Sequence, residues 1–184
     1  MKHLTTDEIE TNLTYILEAP KESGILKMIV VRPDTNERKI LETCQIKQEY
    51  GVEGDNWPNC QWKTLPNGDP HPDVQVSLTS YRMLKVLGEN DEHRALSGDN
   101  LHVDFDISPE NLSVGDQLSI GTVIIEITDV LHVACGKYLE RFGKDAAAFI
   151  NSKKGKEHRL RGTFAKIIRD GKITKNDKIE KVLT

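Results

Sequence analysis

Short runs of alternating apolar and polar residues recur along this chain, and clusters of Gly, Pro, Asn and Asp separate them. Alternation with a period of two is typical of a strand with one buried face, and the turn residues mark where each strand ends. Many short strands with few helices favour a β-barrel. The sequence therefore predicts a mostly β fold with a few helices, a β-rich α+β class. The predicted strands are "ILKMIVVRP", "RKILETCQIKQE", "VQVSLTS", "LHVDFDIS", "DQLSIG", "VIIEITDVLHV", "TFAKIIRDGKI" and "DKIEKVL".

Three stretches have helical rather than strand-like spacing. Residues 5–19 carry apolar side chains at helical intervals after a cap at Asp7, and "KYLERFGKDAAAFINS" repeats that pattern near the C-terminus. A shorter helix is predicted over "SYRMLKVLG". We therefore expect residues 1–24 to form a helical extension packed on a barrel domain of residues 25–184.

The composition excludes several classes of protein. Hydrophobic residues make up 37% of the chain and charged residues 29%, which is typical of a globular domain. No segment approaches the roughly 18 apolar residues of a membrane span, and the first residues have no apolar core of a secretory signal. Three cysteines, Cys44, Cys60 and Cys135, are too few for a disulfide framework. These features predict a cytoplasmic protein with reduced thiols and no membrane partner.

The net charge of −4 hides an asymmetry along the chain. From Lys137 onward there are 14 Lys and Arg against 6 Asp and Glu, whereas the preceding part is acidic. A basic segment on an acidic body suggests an anionic ligand. The overall acidity and the low aromatic content argue against nucleic acid as a partner. A non-catalytic small barrel that binds an anion or a protein partner stays an alternative.

One cysteine lies among cationic residues in the segment "HVACGKYLERFG". His132 precedes Cys135 by three positions, and Lys137 and Arg141 follow it. Cations and a helix N-terminus favour the thiolate, which is the form that attacks as a nucleophile or binds a soft metal. Gly136 lets the chain turn sharply and a ligand approach. The alternative is a buried structural cysteine.

His132 and Cys135 also form an H-x-x-C pair, which is half of a possible zinc site. Cys44 and Cys60 could complete that site if the fold brought them close, although their spacing matches no compact zinc pattern. Zinc is therefore a second hypothesis for the same cysteine.

Several segments, in order, resemble the MOSC domain, the family named after the C-terminal domain of molybdenum cofactor sulfurases. They are "VRPDTNERKIL", "GVEGD", "GDNL", "VGDQLSIG", "HVACGKYLERFG" and "RLRGTFAKIIRDGKITKNDKI". The resemblance runs from about Ile25 to Val182. The chain departs from the family pattern at three places. Leu131 stands where a proline is common, Asn56-Trp57 where a basic residue and a histidine often stand, and Asn176 where the last turn often has glycine.

This resemblance implies a closed barrel like the pyruvate kinase β-barrel domain and a molybdenum cofactor whose metal is bound by Cys135. Arg159 and Arg161 flank Leu160, so on a strand both would face one side and could grip the phosphate of the pterin. Lys137 and Arg141 are further candidates for binding the cofactor. The alternative for the arginine pair is a place on the barrel exterior.

The resemblance also suggests roles for three polar residues. Asn100 offers a donor and an acceptor to a pterin edge, Asp55 would position a water or hold a substrate amine, and His132 would tune the thiolate. Structural alternatives exist for each, because Asn and Asp commonly stabilise their own turns and a histidine at a strand end is commonly structural. Among these residues we expect Cys135, Asp55 and His132 to be catalytic.

Two activities fit the family. One is reduction of N-hydroxylated or other N-oxygenated compounds, a small-molecule reaction with a separate reductase as electron donor, since the chain has no iron–sulfur cysteine cluster and no G-x-G-x-x-G fingerprint. The other is sulfur transfer, with a persulfide on Cys135 delivered to a cofactor or cluster. Pyridoxal phosphate is not expected, because the chain is too short to include the domain that binds it in sulfurases.

Overall fold

The structure is a computed structural model that describes residues 3–59 and 62–182. Its strands alternate between buried and exposed side chains, as the sequence pattern predicts. In chain order they are β1 (Ser23–Val31), β2 (Lys39–Leu41), β3 (Thr43–Lys47), β4 (Gly51–Val52), β5 (Val76–Ser80), β6 (Leu101–Asp104), β7 (Gln117–Ile120), β8 (Val123–Ile127), β9 (Thr163–Arg169), β10 (Gly171–Thr174) and β11 (Lys178–Lys181).

Seven of the strands in the described residues close a mixed barrel in the order β11-β7-β8-β9-β5-β6-β1, with β1 returning to β11. The closing pair is antiparallel and joins Gly24 to Ile179, whereas β5 and β6 run parallel. Strand β1 is long enough to pair with β11 at its start and with the edge strand β2 at its end. The closed mostly β barrel confirms the predicted fold class.

The barrel interior is the larger of the hydrophobic cores and contains side chains from every barrel strand, among them Leu26, Leu78 and Ile125. A second, smaller sheet of β10, β3 and β4 packs against the barrel and adds Cys44 and Ile46 to this core. The predicted strand "RKILETCQIKQE" is in fact β2 and β3, which belong to these two different sheets.

Helices form a second layer beside the barrel. They are α1 (Thr6–Thr11), α2 (Leu13–Leu17), α3 (Tyr81–Leu87), α4 (Asp91–Ala95), α5 (Gly136–Phe142), α6 (Lys144–Asn151) and α7 (Lys153–Glu157), with two short 3-10 helices at Trp57–Asn59 and Pro72–Val74. Ile9 and Ile16 of the first two helices share one hydrophobic cluster with Phe142 and Phe149. None of the helices in the described ranges is long and apolar enough to cross a bilayer.

The helix predictions need two corrections. The helix over residues 5–19 is interrupted at Asn12, and its cap is Thr5, whose side chain exchanges hydrogen bonds with Glu8 in a capping box; Asp7 is not the cap. The single helix predicted near the C-terminus is two helices, because Gly143 at φ 92° breaks the ladder between α5 and α6.

The strand predicted over "VIIEITDVLHV" is also shorter than expected. Strand β8 ends at Ile127, because its partner β9 begins only at Thr163 and offers Phe164 O as the last acceptor, for Thr128 N. Residues 128–135 continue as irregular chain. His132 and Cys135 therefore lie on a loop and not at a strand end.

Gly162 allows the turn after α7 to meet strand β5. Its φ is 113°, and a Cβ at this position would lie 2.1 Å from the carbonyl oxygen of Leu78. We expect Gly162→Ala to lower the free energy of unfolding by about 3 kcal/mol or more, since both the backbone conformation and the collision oppose it. Gly115→Ala is the control, because Gly115 also has a positive φ but has no atom within 4 Å of the added Cβ; it should cost about 1 kcal/mol. Equal losses in urea unfolding would contradict the close approach.

Candidate functional site

A cavity of about 520 Å³ opens where the loop before α5 faces the β1–β2 hairpin and Trp62. We call it the thiol cavity. Its lining includes five cationic side chains, and none of its lining residues in the described part of the chain is Asp or Glu. The full lining is Arg32, Arg38, Trp62, Ser97, Gly98, Leu131, His132, Val133, Cys135, Lys137, Tyr138, Arg141, Arg161 and Phe164.

Cys135 places a thiol in the wall of this cavity. Its thiol is free and its side chain is exposed. The loop that carries it is fixed just before the cysteine, since the side-chain amide of Asn151 accepts from Ala134 N at 2.8 Å and donates to Ala134 O at 2.9 Å. Asn151 thus replaces the strand partner that the loop lacks. The alternative of a buried structural cysteine does not hold for Cys135.

Arg32 and Arg38 enter the cavity from the hairpin between β1 and β2. The Asp55 carboxylate accepts from Arg32 N at 2.7 Å, from Nε at 2.9 Å and from Nη2 at 2.7 Å. Burial, and then the charges of Arg141 and Arg32, lower the pKa of Arg38 to about 10. Like charges are therefore held close together, which is the condition for attracting an anion.

Lys137 and Arg141 follow Cys135 on helix α5 and line the same cavity. Arg141 is held by Leu96 O at 2.8 Å and by Asn36 Oδ1 at 3.0 Å. Lys137 is exposed and has no ion pair with any residue that the structure describes. Both residues are close to Cys135 in the sequence, and the structure puts them in one cavity with it.

Arg161, Asp99 and His132 form a buried polar group at the back of the cavity. Asp99 has no exposed surface and accepts from Arg161 Nη1 at 2.6 Å, while His132 Nε2 lies 3.5 Å from the other carboxylate oxygen. Burial is the largest single effect on Asp99 and favours its protonation, but the opposing interactions, of which the charge of Arg161 is the strongest, together hold the pKa of that carboxyl below its usual value. Burial and the charge of Arg161 lower the pKa of His132 to about 3, so this imidazole is neutral at neutral pH.

Three atoms of this group lack a hydrogen-bond partner within residues 3–59 and 62–182. They are Nε of Arg161, Nδ1 of His132 and Oδ1 of Asp99. Buried polar atoms without partners are rare in folded proteins, and they commonly mark a place where a ligand or water binds. Arg161 and His132 line the thiol cavity, whereas Asp99 does not, so two of these three atoms belong to residues of its wall.

Aromatic and aliphatic side chains form the mouth of the cavity. The ring of Trp62 is 60% exposed and lies 5.7 Å from Phe164, which also contacts His132 at 4.2 Å. Leu131 and Val133 are exposed on the same rim. The cavity therefore combines a cationic interior with an apolar entrance.

Two of the predicted site residues, Asp55 and Asn100, do not line the thiol cavity. The Asp55 side chain is wholly buried behind Arg32, so its geometry makes it a positioning residue for that arginine rather than a catalytic one. Asn100 is buried and uses its side chain on Ser77 and Val30, so it has no edge to offer a pterin.

Arg159 and Arg161 are not on a strand, because residues 158–161 form a turn with φ 47° at Arg159. Their guanidiniums have separate partners. Arg159 donates to Leu112 O at 2.5 Å, whereas Arg161 donates to Asp99 and Ser97. Of the two, only Arg161 lines the thiol cavity. The prediction that Arg159 and Arg161 face the same side of a strand is therefore wrong.

The described residues contain no group of three His, Cys, Asp or Glu side chains placed to hold a metal ion. The structure therefore gives the zinc hypothesis no support. Cys44 is in the barrel core, 3% exposed, and burial raises the pKa of its thiol to about 11. It is therefore an inert core residue, while Cys60 lies outside the described residues.

No family model matches the sequence, and no curated protein does. Solved structures do match. The chain superposes on the YuaD protein from Bacillus subtilis with a TM-score of 0.61 at 16% identity, covering 86% of this chain and 95% of that one. YiiM from Escherichia coli matches with a TM-score of 0.55 at 18% identity over 87% of this chain and 70% of that one. YiiM from Geobacillus stearothermophilus gives 0.55 at 11% identity over 88% and 75%. The fold is MOSC-like.

The buried histidines predict a loss of stability in acid. Burial lowers the pKa of His102 to about 4 and that of His132 to about 3, below the ordinary value of about 6.5. The unfolded chain therefore binds more protons in this range, and the stabilisation is complete above about pH 6.5 and is lost as the pH falls toward the folded values.

We expect His102→Gln to remove roughly 2 kcal/mol of the stability difference between about pH 7 and about pH 4.5. Urea unfolding of the wild type and the variant at both pH values measures this difference. Because the comparison is between pH values, a general destabilisation by the substitution cancels. Identical pH dependence in the two proteins would contradict a neutral buried His102.

Proposed function

We propose that this chain is a MOSC-family protein that binds a molybdenum cofactor in the thiol cavity and reduces N-hydroxylated or related N-oxygenated compounds. The observation that carries the proposal is Cys135. It is an exposed free thiol in a cavity of about 520 Å³, surrounded by five cationic side chains. The motifs around the cysteine resemble those of the family, and the fold agrees with them.

The residues present fit such a cofactor. A thiolate is a suitable ligand for a metal with a sulfur-rich shell, and Cys135 is accessible. The cofactor also has an anionic phosphate, and Arg38, Lys137, Arg141 and Arg161 provide the opposite charge.

In this proposal Cys135 would hold the metal, and Lys137 and Arg141 would bind the anionic part of the cofactor from helix α5. Arg32, fixed by Asp55, would add a positioned guanidinium. His132 would act as a neutral hydrogen-bonding group, since its lowered pKa keeps it unprotonated at neutral pH. The original expectation that His132 tunes the thiolate thus remains a proposal, without a cationic imidazole.

Molybdenum in such a cofactor would supply two-electron oxygen-atom chemistry. Reduction of an N-hydroxylated compound consumes two electrons and two protons, breaks the N–O bond and releases water. The ammonium of Lys137 and solvent at the open cavity mouth can deliver protons, whereas Trp62, Leu131 and Val133 would contact the organic part of the substrate. The electrons would come from a separate reductase.

Sulfur transfer is the second candidate, and the exposure of Cys135 favours it. A persulfide at this position would be reachable by a sulfur donor and a sulfur acceptor, and the surrounding cations would stabilise its negative charge.

The cytoplasmic location and the absence of nucleic-acid and membrane partners stay predictions from the sequence.

Molybdenum content tests the proposed ligand. We expect protein made in a cofactor-competent host to contain near-stoichiometric molybdenum by elemental analysis, and Cys135→Ser to lose most of it, at least about tenfold. Cys44→Ala is the matched control, because it removes the buried thiol in the barrel core and should retain the metal.

Activity should follow the metal. With a reduced viologen as electron donor, the wild type and Cys44→Ala should reduce an N-hydroxylated amidine and Cys135→Ser should not. Equal molybdenum and equal activity in Cys135→Ser would overturn the proposal. A metal-free wild type whose Cys135 carries the mass of one extra sulfur atom would instead favour the sulfur carrier.

A further inference from the structure

A second cavity, of about 270 Å³, adjoins the thiol cavity. Its lining includes the 128–132 loop, the turn that follows α7, and Val114 from the segment before β7. Leu131, His132 and Arg161 line both cavities and form the wall between them. Ligand pockets for drug-sized compounds are about 300 to 1,000 Å³, so this cavity suits a smaller molecule.

Three cationic side chains of the second cavity have donors that no residue in the described ranges uses. Lys156 has no ion pair or hydrogen bond from its ammonium group. Arg159 uses Nη1 on the carbonyls of Ile107 and Leu112, which leaves Nη2 and Nε. Arg161 is 7% exposed, and its Nε is buried without a partner.

The carbonyl bonds of Arg159 and the carboxylate bond of Arg161 also fix these guanidiniums in place. A fixed guanidinium loses little freedom on binding an anion, so it is a better ligand than a mobile surface arginine. Lys156, on the short helix α7, provides a third and more adjustable charge.

The rest of the lining limits what the anion can be attached to. Val114 is 56% exposed and Leu131 is 65% exposed, which are large values for aliphatic side chains and provide apolar contact surface. Asp129 also lines the cavity. Its carboxylate would accept a hydrogen bond from the ligand and would disfavour a second anionic group nearby.

From this arrangement we propose that the second cavity is a binding site for a small phosphate monoester. The phosphate would take donors from Lys156, Arg159 and Arg161, and the organic part would pack on Val114 and Leu131. A phosphate has three terminal oxygens and close to two negative charges near neutral pH, so it can use several separate cationic donors at once. The site does not depend on a cofactor in the thiol cavity.

Phenyl phosphate tests this site on the protein as purified without cofactor, by titration followed in a ¹H–¹⁵N correlation spectrum. The expected shifts are at the amides of Gly155, Gly162 and Val114, which lie in the second cavity. Gly98 and Val133 report on the thiol cavity. Inorganic phosphate should bind more weakly than phenyl phosphate, because it lacks the apolar contact, and phenol should not bind.

Two substitutions assign the binding. Lys156→Gln should weaken phenyl phosphate binding about three- to fivefold, which is the usual range for one partly exposed charge pair. Val114→Asp should weaken it at least as much, because it places a carboxylate on the exposed rim. Lys153→Gln is the matched control on the same helix; Lys153 pairs with Glu157 and does not line the cavity, so binding should be unchanged.

The spectra of the variants also show whether each remains folded. Shifts confined to Gly98 and Val133 would overturn the proposal, because they would place phosphate binding in the thiol cavity alone. An equal effect of Lys156→Gln and Lys153→Gln would overturn it as well. Equal affinity for inorganic and phenyl phosphate would contradict the role given to Val114 and Leu131.

Discussion

The buried ion pair between Asp99 and Arg161 is the interaction on which both cavities depend. The two side chains are 2.6 Å apart and almost without exposed surface. Their removal from water is costly, and losing one partner of such a pair typically destabilises a protein by about 3 to 5 kcal/mol. The pair joins the turn before β6 to the turn before β9, and it holds Arg161 in the wall that separates the cavities.

A second pair repeats this arrangement at the thiol cavity. Asp55 binds three donors of Arg32, and Arg32 also reaches Asn100 at 3.3 Å. In both pairs the carboxylate lies inside the protein and the guanidinium lines the cavity. The carboxylates thus stabilise the cations without reaching the ligand space, which explains how a chain of net charge −4 builds a cationic cavity.

The sequence predicted the barrel because strand alternation is a local signal that survives in the fold, as in β8 and β3. It wrongly predicted that the strand beginning at Val123 continues over residues 128–133, because a strand also needs a partner and the partner β9 begins at Thr163. Lys137 and Arg141 were found beside Cys135 since all three are close in the chain. Arg32 and Arg38 were missed, because "RPDTNER" also contains Asp34 and Glu37 and has no net charge that would distinguish it.

Asp55 and Asn100 show that a sequence motif does not distinguish a residue that contacts the ligand from one that supports the site. Both residues stand in segments that resemble the family pattern, and a residue that holds the site together gives the same local signal as one that contacts the ligand. Only burial and partners separate the two roles. The side chain of Asn100 forms hydrogen bonds with Ser77 and Val30. The carboxylate of Asp55 accepts hydrogen bonds from Arg32 and Trp57. In the proposed function, the chemistry of the thiol cavity would rest on Cys135 and the cations that line it, and the polar turns of the motifs would supply the geometry.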